Sequence, residues 1–106
     1  MAKFLVQVAY PAEGAKGLLA EGGSKRRDAA VKAIKAVGGK VEAFYFAFGK
    51  SDAVLLVDAP DNVSVAAVAL ATSASGAVTI RTTVLLTPAE IDEAVKKSVP
   101  YRAPGR

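Results

Sequence analysis

The sequence predicts an α+β fold: one four-stranded antiparallel sheet with its helices on one face. Three observations point there. Short β-rich runs alternate with alanine-rich segments of helical spacing. Glycine, proline and asparagine fall at the junctions. The chain has 106 residues, which suits one domain. By surface scaling, such a chain hides roughly 65% of its unfolded surface, so a core is within reach.

Phe4 to Ala9 is rich in β-formers and stops at Pro11, which makes it the first strand. Tyr10 to Gly23 carries four glycines and reads as a loop. Ser24 then caps a helix to about Val37, with Ala30, Ile34 and Val37 on one face. Gly38-Gly39 ends it. Lys40 to Phe48 and Ala53 to Ala59 form a hairpin about the turn Gly49-Lys50-Ser51-Asp52. Asp61 or Asn62 caps a second helix that ends near Gly76, and Ala77 to Leu86 is the fourth strand. Thr87-Pro88-Ala89-Glu90 is a capping box opening a short third helix, which finishes at Lys96-Lys97 before Pro100. The order β-α-β-β-α-β plus a C-terminal helix is the split βαβ arrangement of ferredoxin-like folds. Residues 1–100 are expected to be one domain, and 101–106 a flexible tail.

Composition excludes more than it selects. There is no cysteine and no histidine. Disulfides, thiolate or imidazole metal sites and histidine-based triads are therefore ruled out within the chain. The lack of cysteine suits the cytoplasm. No cofactor motif is present, and no metal is expected, because only carboxylates could hold one. The net charge of +4 is too small to imply a nucleic-acid partner. Asn62 to Ile80 carries no charge, but Ser64, Thr72, Ser73, Ser75 and Gly76 interrupt it, so no membrane span is expected.

Strand alternation supplies the first functional inference. The sets containing Gln7, Glu42, Asp58 and Arg81 fall on the face without helices. That face also carries Leu5, Phe44, Phe46, Phe48, Val54 and Leu56. So large an apolar face predicts cover by a second copy, sheet against sheet, as in a dimeric α/β-barrel. The alternative is cover by the C-terminal helix. Tyr45 falls with the helix-side set. Small residues Ala43, Ala47 and Ala53 on that side would either leave a cavity or seat the helices closely.

Arg81, Glu42 and Asp58 are the candidate ligand-binding residues. A covered guanidinium must be paired. Glu42 of the same chain lies too far across the sheet, so Arg81 is expected to pair across a dimer or to hold an anion. Ser24, Lys25, Arg26 and Arg27 form a weaker anion candidate at a helix start, set against a solvated basic turn pairing with Asp28. Gly14-Ala15-Lys16-Gly17 matches a GxxG clamp but follows a strand, so it reads as a plain loop. Asp52 reads as a turn residue and Asp61 as a cap.

Several stretches carry a resemblance: Ser24 to Asp28, Gly38 to Glu42, Tyr45 to Gly49, Asp52 to Val54, Ala59 to Asn62 and Thr82 to Glu90. In this order they resemble the GYD-domain family of small dimeric α/β-barrel proteins. The resemblance implies a homodimer or higher homo-oligomer and leaves function open. Gly49 and Asp52 match the residues that give the family its name, but Ser51 stands in the tyrosine's place. Three readings follow: a non-enzymatic or ligand-binding homodimer, a cofactor-free isomerase or oxygenase with a site between sheet and helices, and an anion or nucleic-acid binder using Lys25 to Arg27.

Overall fold

The computed structural model describes residues 1–106. Its strands are β1 (Ala2–Ala9), β2 (Lys40–Phe46), β3 (Ala53–Ala59) and β4 (Thr79–Leu85). Its helices are α1 (Ala12–Glu21), α2 (Gly23–Ala36), α3 (Asn62–Ala74) and α4 (Pro88–Lys96). The strands form one antiparallel sheet in the order β2-β3-β1-β4, the arrangement of a ferredoxin-like fold.

The helix-covered face holds the core. Phe4, Val6 and Val8 from β1 meet Ala53, Leu55, Val57 and Ala59 from β3. Ile34 of α2 and Val65 of α3 close over them. Alternation along β1 and β3 is regular, buried residues taking every second position of one face.

β2 departs from that regularity. Val41 pairs with Val57 and Ala43 with the next residue, Leu56, so Glu42 is an extra residue in the strand. This bulge reverses the face of everything after it. Phe44 pairs with Leu55 and packs on the core. Phe46 pairs with buried Ala53 and meets Phe44 edge to face, ring centres 5.1 Å apart. Phe44 and Phe46 thus leave the bare face on which strict alternation puts them, and Ala43 and Tyr45 take their places. Phe48 lies beyond the end of β2, fully exposed.

The segment expected as a loop is largely α1. Gly14 serves close approach, since a Cβ there would lie 1.9 Å from the Ala77 carbonyl oxygen. α2 begins at Gly23 rather than after a Ser24 cap. Its cap residue is Gly22, at φ +83°, and no side chain caps the helix. Glycine is the residue that adopts this conformation without strain.

At the other end, Asp61 accepts from the Ser64 N–H at 2.8 Å and caps α3. Thr87 and Glu90 form the expected capping box. α4 has no buried residue and does not cover the sheet. No helix is long and apolar enough to cross a membrane.

Candidate ligand-binding cleft

The bare sheet face carries one ionic cluster, and a residue from β1 organises it. Lys3 Nζ donates to Asp58 Oδ1 at 2.8 Å and also to Glu42 Oε1. Asp58 sits opposite Lys3 where β1 pairs with β3. The bulged Glu42 reaches Lys3 from β2 across that strand. The hydrogen bond from Lys3 is the main cause that holds Asp58 below the usual carboxylate range. Asp58, then Glu42, raise the Lys3 ammonium in turn.

Arg81 is not part of this cluster. It lies opposite Gln7, four positions along β1 from Lys3, or about 13 Å at about 3.3 Å per residue. It is exposed and makes no ion pair within the chain. The partner of Glu42 and Asp58 was legible in principle. Lys3 shares the parity of Leu5 and Gln7, and central antiparallel pairing sets it beside Asp58.

The basic turn divides in two. Lys25 is exposed, and Arg27 pairs with neighbouring Asp28 at 3.1 Å. Arg26 instead turns inward and is half-buried beside the Tyr10 phenol. Tyr10 follows the last residue of β1. Its backbone N–H donates to Asp52 Oδ2 at 2.7 Å. Asp52 is held in turn, since its N–H donates to the Val8 carbonyl and its carbonyl accepts from the Ala47 N–H, both at 2.8 Å. Asp52 thereby joins the ends of β1, β2 and β3 and fixes where Tyr10 leaves the sheet. Gly49 makes no comparable contact, and a Cβ there would meet nothing within 4 Å.

Tyr10 and Arg26 stand at the rim of an apolar cleft between the sheet and α2–α3. Its volume is about 70 Å³, walled by Val8, Phe44 and Leu55 from the sheet and Ala30, Ala33 and Val68 from the helices. The space comes from the alanines of α2 rather than from Ala43, which the bulge puts on the bare face. Thr72 also lines the cleft, but its hydroxyl donates back to the Val68 carbonyl at 2.8 Å. On the far side of Tyr10 an open groove of about 470 Å³ runs past Leu18, Phe46 and Phe48.

The polar groups that line the cleft itself are one-sided. Burial pushes the Tyr10 phenol above its ordinary value, while neighbouring Arg26 pulls the other way. Asp52 and Glu21 lie outside the cleft but close enough to raise the phenol further. The phenol therefore stays protonated at neutral pH. A guanidinium does not lose its proton at all. Both groups donate hydrogen bonds, and neither is set to abstract a proton. Asp52 lines the outer groove, not the cleft.

A four-stranded antiparallel sheet, helices on one face and a bare second face define a small α+β protein of ferredoxin-like architecture. Residues 4–95 match the GYD domain family, and the chain belongs to that family. No curated protein and no solved structure matches the chain.

Proposed function

We propose that this chain is a non-enzymatic, homodimeric binding protein of the cytoplasm. Its ligand is a small acid with a largely apolar body, held in the cleft between sheet and helices. One observation carries this reading: an apolar cleft whose available polar groups, Arg26 and Tyr10, are both donors. Such a rim suits a carboxylate or similar anion, with the hydrocarbon part inside. Acid–base catalysis would need a base within reach of the ligand, and the cleft wall supplies none.

The dimer reading is supported by the bare face. Leu5 and Val54 are only partly covered there, Leu56 is 38% exposed and Tyr45 is 71% exposed. A second sheet laid on this face would cover them, and a carboxylate of the partner could then meet Arg81.

Benzoate and its neutral isostere benzamide test the ligand reading by thermal melting. Benzoate should raise the melting temperature and benzamide should raise it far less. The difference should vanish in Arg26→Met, and Ala33→Phe should block both compounds by filling the cleft. Equal responses to the two compounds in the wild type overturn the reading.

A further inference from the structure

We propose that α4 is an exchange arm that docks on α3 of a second copy of this chain. This proposal rests on two unpartnered helix faces and is independent of the ligand reading.

The first face belongs to α4. At 100° per residue, Ile91, Ala94 and Val95 share one side, and Glu90, Asp92, Glu93 and Lys96 share the other. The apolar side is uncovered, with Ile91 46% and Val95 78% exposed. α4 shares no packed face with its own α3. It leaves the body as an arm, and the radius of gyration is 16.9 Å against about 13 Å for a compact chain of this length. A nine-residue helix is marginal on its own in water, since isolated helices need about 12–15 residues. Yet this one carries a complete capping box with proline in its first turn. Such a defined helix, with an apolar stripe facing water, is one half of a contact.

The second face belongs to α3. Val63, Ala66, Ala67 and Leu70 form an outward stripe, with Val63 and Leu70 more than 70% exposed. The helix has no charged residue at all. Beside the stripe, between α3 and the edge strand β4, runs an open apolar groove of about 480 Å³. Val65, Ala66, Ala69 and Leu70 form one wall, and Val84 the other. Alanines along a groove let a second helix come close.

The occupant is a second copy because each chain carries one arm and one seat, matched in chemistry and length. The arm is about 14 Å long and the stripe from Val63 to Leu70 about 11 Å, at about 1.5 Å per residue. The seat has no charge to pair with, and the arm presents none on its apolar side. Only Leu86 and Thr87 lie between β4 and α4, and Thr87 is held in the capping box, so the arm joins β4 through a short, ordered link. One arm and one seat per chain allow a closed two-fold exchange, each chain's arm on the other's seat.

The absence of native cysteine makes the test direct. Chains carrying Val95→Cys alone and Ala66→Cys alone are mixed and mildly oxidised. A 95–66 cross-linked species of twice the chain mass is expected on a non-reducing denaturing gel, verified by peptide mapping. Adding Ile91→Asp to the Val95→Cys chain should abolish the cross-link while that chain still folds and melts cooperatively, because α4 lies outside the core of its own chain. No 95–66 cross-link between chains overturns the proposal. So does a double variant, Ala66→Cys with Val95→Cys, that closes within one chain even when diluted.

Discussion

Lys3 Nζ stands 2.8 Å from Asp58 Oδ1 on adjacent central strands, and the same ammonium also holds Glu42 of the third strand along. The cluster ties β1, β3 and β2 together on the face that has no helices. Asp58 is held below its ordinary value of 3.8 and contributes stability above that pH, lost as pH falls through its folded value. Lys3 is raised above 10.5 and contributes stability below that pH, lost as pH rises through its folded value. Melting temperature should therefore be flat between about pH 4 and pH 10 and fall on both sides. Lys3→Met should remove the alkaline fall due to this cluster and shrink the acid one. Asp61 and Glu90, lowered by hydrogen bonds from the backbone N–H groups of Ser64 and Thr87, keep part of the acid limb in that variant. Identical pH profiles for the two proteins would remove the cluster from the stability of the fold.

The bulge at Glu42 makes neighbouring residues behave in opposite ways. Phe44→Glu puts a charge into the core, where an unpaired charge costs several kcal/mol, so the protomer should unfold. Tyr45→Glu changes a side chain on the bare face and should leave the protomer folded. On the dimer reading, size exclusion with light scattering gives a wild-type mass of at least twice 10.8 kDa. Tyr45→Glu and Leu56→Glu should lower it by removing the sheet-to-sheet contact, leaving at most the copies joined through α4. A folded Phe44→Glu protein would place the bulge elsewhere, and a monomeric wild type would leave the bare face without its second sheet.

Gly14 lies against the backbone of Ala77, where α1 crosses the approach to β4. Backbone cannot rotate aside as a long side chain can. Gly14→Ala should cost about 1–3 kcal/mol as an overpacked contact. For a chain of this size that lowers the melting temperature by about 4–8 °C for each kcal/mol. Gly17→Ala, with nothing within 4 Å, removes a helix-disfavouring glycine and should hold or raise it. Equal effects of the two substitutions would show that α1 does not rest on Ala77.

These residues also show which parts of the fold the sequence carries openly. β1 and β3 alternate without interruption, so their buried sets are legible, as are the Asp61 cap and the Thr87 capping box. The bulge is not, because Glu42 is neither glycine nor proline and only its pairing with β3 reveals the extra residue. One such residue transfers Phe44, Tyr45 and Phe46 to opposite faces. α1 is hidden for another reason. Its glycines lower helix propensity, and what favours Gly14 is contact with a segment more than sixty residues away. The cleft was equally obscure. Arg26 stands in a basic run that reads as a solvated turn, and nothing local separates it from Arg27. Helical phase alone turns Arg26 toward Tyr10 and leaves Arg27 to Asp28.

The two family-motif residues should respond unequally. Asp52 accepts the Tyr10 N–H at 2.7 Å, in a half-buried place where water does not freely replace it. Asp52→Ala leaves that N–H without its partner and should cost about 1–3 kcal/mol. It also frees the start of the chain turn that carries Tyr10 to the rim of the cleft. The benzoate response should then fall further than the lost stability alone requires. Asp52→Asn keeps an acceptor oxygen and should retain most of both. Gly49 has open space around it and no left-handed φ. Gly49→Ala should therefore stay within about 0.5 kcal/mol of the wild type. Melting curves of the three variants, with and without benzoate, make the comparison. If Gly49→Ala is the damaging change and Asp52→Ala is silent, the motif acts through the hairpin loop, and Asp52 does not position Tyr10.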